Sequence, residues 1–107
     1  MIVFVNQKVA DFDAWKKAFV ADAPARRAAG VADERVFAVL GRPQAIMLEL
    51  EIADADKAIA YLASAFPAAM RRAGALGKPE FLWTAAVDPA DLVAAATLGD
   101  SDVRAAA

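Results

Sequence analysis

The chain reads as one α+β domain whose strands and helices follow the order βαββαβ. Two observations predict it. Segments with a hydrophobic period of two alternate with segments of period three to four over residues 1–87, leaving residues 88–107 as a tail. The two halves also repeat one plan (strand, helix, proline break, paired arginine, glycine, strand), with Ala25-Arg26-Arg27-Ala28 answered by Met70-Arg71-Arg72-Ala73.

Residues 2 to 9 are rich in β-branched and aromatic side chains and predict the first strand. Asp11 offers a capping oxygen where the pattern changes. Phe12, Trp15, Phe19 and Ala23 then recur at steps of three and four, with Lys16, Lys17 and Asp22 left to face water, as in an amphipathic helix. Pro24 interrupts it. Asp22 is placed to cap a short second piece, Arg26 and Arg27 fall near that piece's partially negative end, and Gly30 closes it.

From Val31 to Ile52 the period is two, broken by Gly41-Arg42-Pro43, which predicts a hairpin. If Leu40 stands opposite Gln44, then Arg35 meets Glu49, Val36 meets Leu48, Phe37 meets Met47 and Ala38 meets Ile46, so like faces like. Asp54 caps a second amphipathic helix carrying Ile59, Leu62, Phe66 and Met70; Pro67 interrupts it, and Ser64 is placed to cap the last piece. Arg71 and Arg72 precede Gly74 and Gly77, and Glu80 to Val87 form the last strand. Asp88-Pro89 starts a short helix through Leu98, stopped by Gly99, and the last eight residues fray. Two right-handed βαβ crossovers joined by a hairpin give a ferredoxin-like, four-stranded antiparallel sheet with two helices on one face.

With 107 residues, 60% hydrophobic and 24% charged, the chain has enough apolar surface for one core. A net charge of −2 gives no reason to bind nucleic acid or an anionic membrane. The absence of Cys and His removes disulfides, thiolate nucleophiles, imidazole bases and zinc sites of the nitrogen and sulfur type. The opening Met1-Ile-Val-Phe-Val lacks the basic start of a signal peptide, which predicts a cytoplasmic protein.

Two helices cover one sheet face, so the other should be polar in a monomer. Instead Ile2 and Phe4 share the first strand with Val3 and Val5, the last strand carries Phe81 and Trp83 against Leu82, and Phe37, Val39, Ala45 and Met47 share the uncovered parity. This predicts a homodimer through the sheet face, with Asp33, Arg35, Glu49 and Glu51 at its rim.

The βαββαβ order serves unrelated functions. An RNA-recognition domain needs stacking aromatics on the third strand, and Gln44-Ala-Ile-Met-Leu-Glu-Leu-Glu-Ile has none. Metal chaperones need paired cysteines after strand one and acylphosphatases a phosphate-cradling loop; Lys8-Val-Ala-Asp-Phe-Asp supplies neither.

Asp11-Phe-Asp-Ala-Trp-Lys-Lys-Ala-Phe, Pro24-Ala-Arg-Arg-Ala-Ala-Gly, the Val36 to Ile52 hairpin and Met70-Arg-Arg-Ala-Gly resemble the antibiotic biosynthesis monooxygenase-like branch of the dimeric α+β barrel superfamily, over residues 1–87. The resemblance implies a pocket between helices and sheet in each subunit. It also implies either oxidation of polycyclic phenols without metal or cofactor, or haem degradation. The haem branch has an asparagine near the end of strand one, matched by Asn6, but needs a helix histidine that this chain lacks, so haem is excluded and no cofactor is expected.

The candidate catalytic residues are Asn6, to orient a carbonyl or oxygen species, and Tyr61, the only phenol. Trp15, Phe19, Phe66, Met70 and Trp83 are the candidate lining of an aromatic ligand between helices and sheet. Each has a plainer reading: Asn6 bonded to backbone or water, the stripes as core, and Tyr61 half-buried with a wet hydroxyl. Two functions stay open: a cofactor-independent monooxygenase or isomerase acting on an aromatic or polyketide-like substrate, and a non-catalytic ligand-binding or scaffold dimer.

Overall fold

Alternating burial along the strands sets the architecture. In a computed structural model that describes residues 1–88 and 90, the order is β1 (Ile2–Val9), α1 (Phe12–Ala21), α2 (Ala23–Ala28), β2 (Val31–Ala38), β3 (Ala45–Ile52), α3 (Ala55–Ala63), α4 (Ala65–Arg72) and β4 (Ala75–Thr84). The antiparallel sheet has the strand order β2-β3-β1-β4, so the expected ferredoxin-like topology is what forms, with each helix divided in two beside its proline. The expected helix from Asp88 to Leu98 and the tail over 100–107 lie outside the described residues.

The predicted hairpin register holds from Arg35↔Glu49 to Ala38↔Ile46. Leu40 and Gln44 fall outside the ladder, because Arg42 N–H donates to the Val39 carbonyl and Ala45 N–H to the Arg42 carbonyl, tightening the loop into turns. One face of the sheet is the core: Val3, Val5 and Val9 from β1 and Ile46, Leu48, Leu50 and Ile52 from β3 pack under Trp15, Phe19, Ala58, Leu62, Phe66 and Met70. Full burial of side chains such as Phe66 contributes on the order of 2–3 kcal/mol each.

Asp11 and Asp54 cap as expected, accepting from the N–H groups of Ala14 and Lys57. Asp22 and Ser64 do not. The Asp22 carboxylate is taken by the Tyr61 hydroxyl at 3.2 Å, and the Ser64 hydroxyl bonds back to the Ala60 carbonyl at 2.7 Å. Ile59 is a further correction: it is exposed, and Ala58, Tyr61 and Leu62 form the inner face of α3.

The last strand starts at Ala75 and ends at Thr84, not Glu80 to Val87. Its pairing with β1 jumps from Lys8↔Leu76 to Asn6↔Glu80, so a bulge around Gly77, Lys78 and Pro79 hides the alternation. The buried Gln7 amide ties this bulge, donating through Nε2 to the carbonyls of Lys8 at 2.9 Å and Leu76 at 3.0 Å.

Gly30 links α2 to β2 and lies against the start of α3. It has φ +85°, its carbonyl accepts from the N–H groups of Ala53 and Asp54, and a Cβ there would lie 2.7 Å from the Asp54 carbonyl oxygen. Only glycine fits both the left-handed backbone and the close approach.

Candidate functional site

The aromatic residues expected to line a pocket are mostly core. Trp15 stacks on Phe19 at 4.9 Å between ring centroids and donates its indole N–H to the Met70 sulfur at 3.2 Å. Phe66 packs against Tyr61 and Phe81, with centroids 5.9 and 6.0 Å away. The cavity among Phe19, Arg26, Phe66 and Met70 is about 10 Å³, too small for an organic ligand. These side chains meet because α1 and α4 lie on the same sheet face, and their combined volume fills the space between helices and sheet.

Trp83 is different. It pairs with Val3, which puts it on the helix side, yet it stays 39% exposed on the edge strand β4. Together with Ile59, Leu62, Ala63 and Phe81 it lines an open recess of about 410 Å³. The exposure of Ile59, unexplained by packing within α3, is what gives this recess its outer wall.

Asn6 is on the opposite face. Val3, Val5, Gln7 and Val9 point to the helices, so Ile2, Phe4, Asn6 and Lys8 share the open face. Asn6 is exposed there, opposite Met47 and Glu80, and borders a trough of about 390 Å³ with Lys8, Arg42 and Lys78. The expectation that Asn6 acts on a ligand held between helices and sheet by Trp15 and Trp83 is therefore corrected. The period of two separates Asn6 from both tryptophans by the thickness of the sheet.

Tyr61 is buried, not wet, and donates its hydroxyl to Asp22. Desolvation, with the Asp22 carboxylate second, pushes its pKa up to about 12. Its hydroxyl is a structural donor joining α3 to the end of α1, and at neutral pH it keeps its proton.

Beside it lies a polar cluster that no sequence signal announced. Arg26 is 1% exposed, donates to the Phe19 carbonyl at 2.6 Å, reaches Glu34 at 3.3 Å and sits 3.6 Å from the Phe19 ring centroid. It thereby satisfies a last-turn carbonyl of α1, which has no basic residue of its own there. Arg27 pairs with the same Glu34 at 2.6 Å. Desolvation raises the Glu34 pKa, but the hydrogen bonds from Arg27 and Arg26 outweigh it and hold the carboxyl below the usual glutamate value. The Arg27 pKa is raised, chiefly by its hydrogen bond to Glu34.

Among the described residues no group of three or more His, Cys, Asp or Glu side chains is placed to hold a metal ion, and no helix is long and apolar enough to cross a membrane.

No protein-family model matches the chain, and no curated protein does. Solved structures match its fold. SnoaB, a cofactor-independent oxygenase from Streptomyces nogalater, superposes with a TM-score of 0.59 over 82% of this chain and 96% of its own, at 16% identity. A candidate antibiotic biosynthesis monooxygenase from Caulobacter crescentus CB15 gives 0.62 over 81% of this chain and 89% of its own, at 20% identity. A dimeric ferredoxin-like protein from an uncultured marine organism gives 0.50 over 81% and 96%, at 14% identity. The resemblance to the antibiotic biosynthesis monooxygenase-like branch is thus borne out as a likeness of fold.

Proposed function

We propose that the chain is a homodimer, paired through the open face of its sheet, that takes a small flat aromatic molecule into the recess between α3 and β4 and oxygenates it without a resident metal or organic cofactor. The recess carries this reading. At about 410 Å³ it is large enough for a small organic molecule, and Trp83, Phe81, Ile59 and Leu62 offer it stacking and apolar contact.

Oxygenation of this kind asks little of the protein. A substrate whose CH2 is acidified by a neighbouring carbonyl loses a proton to water at the mouth of the recess, its carbanion gives an electron to O2, and the two radicals recombine into a peroxide that takes a proton back and loses water. CH2 and O2 become C=O and H2O, and all the electrons come from the substrate. The protein's part is to orient the ligand. The likeness in fold to SnoaB supports this reading. Pairing is supported by Ile2, Phe4, Phe37, Met47 and Leu82, which share the open face, with Phe37 39% and Leu82 64% exposed.

One observation favours a second reading, a binding protein without turnover. The recess is lined by Ile59, Leu62, Ala63, Phe81 and Trp83, none of which can take a proton, while Asn6 is on the far face and Tyr61 is engaged by Asp22. Oxygen uptake measured with a panel of anthrones separates the two. The oxygenase reading expects uptake matched by conversion of CH2 to C=O and abolished in Ala63→Arg, which fills the recess from an exposed position. Binding with no uptake would leave a ligand-binding dimer, and no binding would remove both.

A further inference from the structure

The open face carries its charges at opposite ends. At the end where β1 finishes, β3 starts and the hairpin turns, Lys8, Arg42 and Lys78 border one trough. All three are exposed, and among the described residues none lies within ion-pair distance of a carboxylate. Glu80, opposite Asn6, is the one acidic group bordering that trough. At the other end Asp33, Glu49 and Glu51 gather beside Ile2, with Arg35 the one cation, held to Glu49 at 3.4 Å.

The acidic end is poorly compensated within the chain. The register that pairs Arg35 with Glu49 and Glu34 with Leu50 continues unbroken to Asp33, setting it directly opposite Glu51, and shifts only at Val31. Like charges facing each other across strands are destabilising, and Arg35 is already paired with Glu49. An acidic end and a basic end on one face, each only partly compensated within the chain, are complementary to the same face of a second copy.

We infer that two copies meet face to face with the basic end of each, Lys8, Arg42 and Lys78, over the acidic end of the other, Asp33 and Glu51. This rests on the proposal that the open face is the dimer face. It specifies a twofold axis that lies between the sheets and runs across the strands. An axis along the strands would set basic end on basic end and acidic on acidic. Apolar side chains in the middle, Phe4, Phe37, Met47 and Leu82, supply the adhesion, and the charges select the register. Sheets that pack face to face lie roughly 10 Å apart, a gap that a lysine and a glutamate reaching from opposite sides close.

Two charge-reversed copies test it. One carries Lys8→Glu with Lys78→Glu, the other Asp33→Lys with Glu51→Lys. Each alone should dimerise at least about tenfold more weakly than the wild type, since like ends then face each other. Mixed in equal amounts they should form a heterodimer close to wild type in affinity, read by native mass spectrometry, because both contacts are again opposite in sign. The unmodified dimer should weaken as salt rises, a readout that holds even if a variant fails to fold. Variants that pair with themselves as tightly as the wild type, or a wild-type dimer indifferent to salt, would reject the register and leave the dimer standing. Variants that each pair with themselves as tightly as the wild type does, yet pair with one another more tightly than it does, would assign the other axis. A wild type that is monomeric at micromolar concentration would reject both the register and the dimer proposal beneath it.

Discussion

Replacing Arg26 with Met should cost far more than an ordinary exposed arginine would. The guanidinium is 1% exposed, donates to the Phe19 carbonyl at 2.6 Å and lies 3.6 Å from the Phe19 ring centroid. A hydrogen bond from a charged donor contributes about 1.5–3 kcal/mol, and a desolvated cation over an aromatic face about 1–2 kcal/mol. Met keeps part of the stem's packing and a sulfur contact with the ring, which returns some of this. Glu34 is not stranded, because Arg27 still holds it at 2.6 Å. The expected loss is therefore about 2–4 kcal/mol, a large share of the roughly 5–15 kcal/mol that holds a domain folded. For a domain of this size it should lower Tm by roughly 10–20 °C. Urea unfolding followed by Trp fluorescence and far-UV circular dichroism measures it, with Arg27→Met as the exposed comparison at well under half the effect. A loss below about 0.5 kcal/mol for Arg26→Met would refute the view that this side chain closes α1.

Tyr61 is the only tyrosine, so the tyrosinate absorbance reports it alone; it should titrate near pH 12 in the folded protein and return to about pH 10 on unfolding. Because the folded value is the higher one, its contribution to stability is intact below about pH 10 and is lost as pH rises through the folded value. A folded-state midpoint near 10 would mean that the phenol is neither desolvated nor held by Asp22. Glu34 works in the opposite sense: its folded pKa is depressed, so its contribution is intact above about pH 4.3 and is lost as pH falls through the folded value. Glu34→Gln should flatten the acid side of a stability profile and leave the alkaline side unchanged. Gly30→Ala should cost about 2 kcal/mol or more through its left-handed backbone and the Asp54 carbonyl, whereas Gly41→Asn, at φ +80° with open space around it, should be nearly silent in the same thermal melts.

Local patterns carried the readings that held. The hairpin register is legible because its partners are close in sequence and both faces must match at once, and Asp11 and Asp54 are legible because a cap acts within three residues. Asp22 looked like a cap for the same local reason, but its carboxylate is claimed by Tyr61, 39 positions away, a competition that no window of sequence contains. Arg26 does stand in the last turn of α2, as its position predicts, but its burial depends on Phe19 and Glu34 converging from two other elements. Strand one could not reveal the face of Asn6, because Ile2 and Phe4 are as apolar as Val3 and Val5. That ambiguity is itself the mark of a strand with one face on the core and the other on the open sheet surface. The recess between α3 and β4 depends on Ile59 and Trp83, which the three and four spacing and the strand alternation both assigned inward; each stands instead at the edge of the layer, partly exposed.

The most direct test of the account is a fluorescence titration of the protein with a hydroxylated anthracene, comparing wild type with Ala63→Arg. Trp15 is sealed in the core and Trp83 lines the recess, so a ligand bound there should quench Trp83 and spare Trp15. Quenching should be saturable, partial and complete at one ligand per chain, and absent in Ala63→Arg, while Asn6→Ala binds as the wild type does. Quenching that never saturates, or that survives Ala63→Arg and vanishes in Asn6→Ala, would contradict this and move the site to the other face of the sheet.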